Sequence, residues 1–111
     1  MTAKGAQAAS NRFGLDQEVV NRIINVFKKH PAVDEVILYG SRAKDTHKRG
    51  SDIDLALKGD NLNLRELNTL SLELDDLLLP YTFDLCIVHR IDNLDLLDHI
   101  QRVGRTIYTK A

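Results

Sequence analysis

The sequence predicts an α+β (α/β two-layer) domain, a small mixed β-sheet with helices packed on one face. Three observations carry this. Short apolar runs of strand length (VDEVILY, DIDLAL, TFDLCIV) alternate with longer segments in which leucine and isoleucine recur every three or four positions. The runs are punctuated by Pro31, Gly40 and Pro80, which interrupt regular structure. The chain has 111 residues, 43% of them hydrophobic, enough for one core and too few for two.

Residues 1–14 (MTAKGAQAASNRFG) lack the apolar stretch of a signal peptide and are expected to form a flexible tail ahead of a domain over 15–111. Val20, Ile23, Ile24 and Phe27 then share one helical face, with Asp16 as N-cap and Lys28, Lys29 and His30 at the negative end, so the first helix covers about 16–30. Val33 to Tyr39 is too short for a helix and is the first strand; Asp52 to Leu57, alternating acid and apolar, is the second. Leu67, Leu70, Leu74, Leu77 and Leu78 mark a second helix from Asn63, whose capping partner is Glu66, to Pro80. Thr82 to Val88 is the third strand. Leu94, Leu97, Ile100 and Val103 mark a last helix over 93–103, stopped by Gly104 and followed by a short extended RTIY. A helix between the second and third strands makes them parallel, whereas the ten-residue link suits an antiparallel first strand.

Fifteen Lys and Arg against sixteen Asp and Glu leave no general attraction to nucleic acid or membrane. One cysteine, Cys86, excludes an internal disulfide and a Cys-based zinc site, and no stretch approaches the roughly 20 apolar residues of a membrane helix. A soluble, cytoplasmic protein is expected.

The chemistry is concentrated in ILYGSRAKDTHKRGSDIDLAL, residues 37–57. Asp52 and Asp54 point to the same side of a strand, their Cβ atoms roughly 6 to 7 Å apart. Asp84 lies inside the otherwise apolar third strand, and with the strands adjacent all three carboxylates converge. Such a group repels itself unless a cation sits among its members, and oxygen-only ligands suit Mg²⁺ or Mn²⁺. Gly40 lets backbone approach a ligand closely, and a turn opening at Gly40-Ser41 forms a phosphate grip amid Arg42, Lys44, His47, Lys48 and Arg49. A lone Asp-x-Asp is more often a solvated face and a lone Gly-Ser a simple turn; their conjunction with Asp84 is what points to a metal-nucleotide site. His30, His89 and His99 are read as cap, loop and helix-surface residues, and Cys86 as a buried small hydrophobe.

Gly40-Ser41, ten residues, Asp52-x-Asp54 and then Asp84 resembles the signature of the DNA polymerase β-like nucleotidyltransferase superfamily, and GSRAK, SDIDLAL and LLDHIQRVGRTIY resemble its minimal nucleotidyltransferase (MNT) members over about residues 16–108. Asp45 departs from the pattern, which commonly has glycine there. The resemblance implies the palm fold and an antitoxin that transfers AMP from ATP to a tyrosine hydroxyl of a partner HEPN ribonuclease toxin. It implies that Asp52, Asp54 and Asp84 hold two Mg²⁺ ions, that Asp84 helps deprotonate the acceptor, and that Gly40, Ser41 and Arg42 bind the nucleotide. A nucleotide triphosphate and a HEPN protein are thus the expected partners, with no membrane, no direct nucleic acid and a possible homo-oligomer. The alternatives are an antitoxin that silences by binding alone and a transferase acting on a small-molecule acceptor.

Overall fold

The computed structural model describes residues 11–44 and 52–110. The calls on residues 1–10, Asp45, His47, Lys48 and Arg49 lie outside them.

Asn11–Arg12 (β1) and Leu15–Asp16 (β2) pair antiparallel around Phe13-Gly14, both with positive φ, 58° and 74°. Such a two-residue turn matches the twist of a hairpin. Residues 11–14, which composition alone assigns to the tail, thus belong to this hairpin.

Gln17–Lys28 (α1) follows and buries Val20, Ile23, Val26 and Phe27. Asp16 sits at its N-cap without a side-chain cap bond. Glu35–Tyr39 (β3) and Ile53–Lys58 (β4) pair antiparallel; Leu64–Asp75 (α2) leads to Phe83–Ile87 (β5), parallel to β4. The Asn63 side chain accepts the Glu66 N–H, so the expected cap is in place. After a 3₁₀ turn at Val88–Arg90, Leu94–Val103 (α3) starts on an Asn93 cap, and Arg105–Thr109 (β6) pairs antiparallel with β3. Gly104 is extended (φ −63°, ψ 146°), not left-handed; a Cβ there would run into the Ile100 carbonyl. The sheet order is β5-β4-β3-β6. Among the described residues no helix is long and apolar enough to cross a membrane.

The α+β mixed sheet is as expected, but its helices are not all on one face. Val36 and Leu38 of β3 and Ile53, Leu55 and Leu57 of β4 face α1 and α2, forming the main core with Phe27, Leu70 and Leu74. The alternate residues, Ile37 and Tyr39 of β3 and Ala56 of β4, pack on the other face against Ile100 and Leu96 of α3. Both faces of β3 are apolar, so burial demands a cover on each.

Phe27 is fully buried in the main core. Phe27→Ala is expected to remove about 3 to 5 kcal/mol of stability, read as a lowered urea midpoint, because the cavity cannot collapse under two helices.

Candidate active site

β3 ends at Tyr39, and Gly40 turns the chain with φ +77°, a conformation that glycine adopts without steric cost. The Gly40 carbonyl accepts the Lys44 N–H at 3.2 Å, closing one helical turn over residues 40–44. A Cβ on Gly40 would collide with the Asp54 carboxylate, lying 3.2 Å from its Cγ. Turn and carboxylate are therefore in contact, and only glycine allows it.

In the parallel register Asp54 stands directly beside Asp84, on strands roughly 4.7 to 4.9 Å apart, so both side chains project from the same face. Asp54 is half-buried and Asp84 exposed at the sheet rim, since β5 is an edge strand. Asp52 is exposed, immediately ahead of β4 instead of within it. Burial raises the Asp54 pKa above the usual carboxylate range, and the charges of Asp84 and then Asp52 push it further; His99 opposes them. Among the described residues no cation forms an ion pair with any of the three acids.

Hence the donor set fits a hard divalent cation in chemistry: oxygen-only, without an ion-paired cation among the described residues, and with one member held partly out of water. It is less gathered than expected. Among the described residues no three Asp, Glu, His or Cys side chains form a ready-made metal site. Asp54 and Asp84 are brought together by strand register, whereas Asp52, exposed and outside the ladder, joins them electrostatically from the flank.

Arg42 is placed differently from the expectation. It is 2% exposed, donates from Nη1 to the Phe13 carbonyl at 2.9 Å and lies 5.0 Å from the centroid of the Tyr81 ring. Its guanidinium thus ties the 40–44 turn to the N-terminal hairpin through a hydrogen bond and to Tyr81, just ahead of β5, through a cation–π contact. Ser41, next to Gly40, is half-buried in the same turn.

The polymerase β nucleotidyltransferase family matches residues 21–111, most of the chain, a span within which Asp52, Asp54 and Asp84 fall. The protein belongs to this family. Comparison with curated protein sequences gives no match. Among solved structures, this nucleotidyltransferase resembles a chain of a toxin–antitoxin crystal structure with AMP-PNP, with a TM-score of 0.68 and 25% identity over 82% of its own length and 73% of the other's. It also resembles a chain of the tri-AMPylated Shewanella oneidensis HEPN toxin in complex with MNT antitoxin (TM-score 0.63, 22% identity, 85% and 72% covered). A chain of the toxin–antitoxin MntA-HepT structure gives 0.64 and 22% over 86% and 74%. At 22% identity these two likenesses speak for the fold.

Two residues of the nucleotidyltransferase site escape a reading of the sequence. Tyr39 pairs with Asp54 across the ladder, and its hydroxyl lies 3.5 Å from Cys86 Sγ. Burial, then the Cys86 contact, pushes the phenol pKa well up, so Tyr39 stays neutral. His99 of α3, expected on the helix surface, instead faces the Gly40 turn. The signal for Tyr39 was its position directly before Gly40; nothing local marks His99.

Proposed function

We propose that this nucleotidyltransferase is the antitoxin of a HEPN toxin–antitoxin pair and transfers AMP from ATP to a tyrosine hydroxyl of its partner. The observation that carries the reading is the contact of the Gly40 turn with Asp54, itself in register beside Asp84. Phosphates and carboxylates are thereby offered neighbouring places on one sheet face. The likeness to toxin–antitoxin structures, one with AMP-PNP and one with an AMPylated toxin, supports the choice of nucleotide and partner.

Gly40 and Ser41 hold the β- and γ-phosphates with the turn, placing the α-phosphorus toward the acids. Asp52, Asp54 and Asp84 would hold Mg²⁺, which when bound would neutralise the charge of the phosphates and of the acceptor oxygen. The acceptor oxygen bonds to the α-phosphorus as the bond to the departing pyrophosphate breaks, and Asp84, at the exposed rim, takes the hydroxyl proton. That same exposure leaves room for a protein substrate to present its hydroxyl.

A HEPN partner incubated with the chain, ATP and Mg²⁺ is expected to gain one or more AMP masses by intact-protein mass spectrometry. No gain with the wild type sinks the catalytic reading. The looser gathering of the acids favours silencing by binding alone as a second reading. It predicts that the Asp52→Ala/Asp54→Ala chain neutralises the toxin as fully as the wild type.

A further inference from the structure

His99 precedes Ile100, the buried anchor that seats α3 on the sheet. Its ring is half-buried and meets Tyr39 edge-on, with centroids 6.1 Å apart and planes at 80°. The Gly40 backbone N–H donates to His99 Nε2 at 3.2 Å. Because the amide is the donor, Nε2 carries no proton and Nδ1 holds it.

The geometry points to His99 as a positioning residue for nucleotide: by accepting the Gly40 amide across the α3 face, it holds the Gly40-Ser41 turn against Asp54 where a triphosphate must be gripped. This rests on the nucleotidyltransferase reading above. The bond joins the start of the 40–44 turn to the middle of α3, beyond the packing of α3 on Ile37 and Tyr39. Its donor is the residue whose positive φ sets the direction of the turn. Packing alone does not require a histidine here. A leucine would fill the space beside Tyr39, yet it would leave the Gly40 amide without an acceptor next to a carboxylate. The support of His99 is rigid, since α3 is capped by Asn93 and anchored by Ile100 and Leu96.

The test compares His99→Leu, which keeps the packing, with His99→Gln, whose terminal oxygen can reach the amide. Two quantities are measured on the full chain: affinity for a non-hydrolysable ATP analogue with Mg²⁺, and hydrogen exchange of the Gly40 amide by NMR. His99→Leu is expected to weaken the nucleotide about three- to tenfold, the worth of one hydrogen bond, and to speed Gly40 exchange, while His99→Gln restores both. Wild-type affinity in His99→Leu overturns the inference, as does a Gln variant that protects Gly40 without recovering affinity. A wild type that binds the analogue but transfers no AMP removes the catalytic reading and leaves the positioning role standing. A wild type that binds no analogue removes both.

Discussion

Asp54→Asn is expected to yield a protein that melts higher than the wild type in the absence of metal and transfers AMP at least about a thousandfold more slowly. The first half follows from the surroundings of Asp54. Burial, Asp84 and Asp52 all disfavour its ionised form in the folded chain, and its folded pKa lies above the unfolded value. For a raised group the sign runs one way: its contribution to stability is fully present below the unfolded pKa, near 3.9, and is lost as pH rises through the folded pKa. At neutral pH the ionised carboxylate therefore weakens the fold, and a neutral amide of the same shape relieves that. The second half follows because the amide gives up the charge that would hold Mg²⁺. Melting curves over pH with EDTA and with Mg²⁺ separate the two effects. The wild type should gain from Mg²⁺ and the variant much less; an equal gain in both would remove Asp54 from the metal site.

Gly40→Ala should be damaging in a different way, lowering both stability and nucleotide affinity. An alanine at φ +77° costs about 1 to 3 kcal/mol, and its Cβ would also drive into the Asp54 carboxylate. The two costs can be separated. Asp54→Ala in the same chain takes away the carboxylate that the methyl strikes and leaves the backbone strain untouched. The double variant should thus be more stable than the sum of the single changes allows. Strict additivity in urea unfolding would mean that turn and carboxylate do not touch in solution.

Much of this was legible along the chain because the local signals agree. The Asn63 cap with its Glu66 partner starts α2 where expected, though the helix ends at Asp75 and not at Pro80, and the apolar stripe from Leu94 to Val103 and the alternation from Ile53 to Leu57 each place an element correctly. The juxtaposition of Asp54 with Asp84 followed from a parallel crossover, which local helix and strand order already implies. What was not legible depends on which face of the sheet a helix chooses. The apolar stripe of α3 reads the same whether it covers Leu38 or Ile37; the better clue lay in β3, whose uninterrupted VILY has no polar face to leave in water. His99 and Arg42 failed for a related reason. A histidine and an arginine carry no mark of burial in sequence, and their partners, the Gly40 amide and the Phe13 carbonyl, are backbone groups that no residue pattern reveals.

The alternation of β3 and β4 has an evolutionary side. Along β4 the odd-numbered Ile53, Leu55 and Leu57 are responsible for holding the molecule together, whereas the even-numbered Asp54 shares its side with α3 and the turn. Tolerance to drift should consequently be inherited by parity: one set of neighbours is free to trade methyl groups among themselves without disturbing the reaction, whereas the interleaved set, in which Ala56 also seats α3, answers to folding and to substrate choice at once.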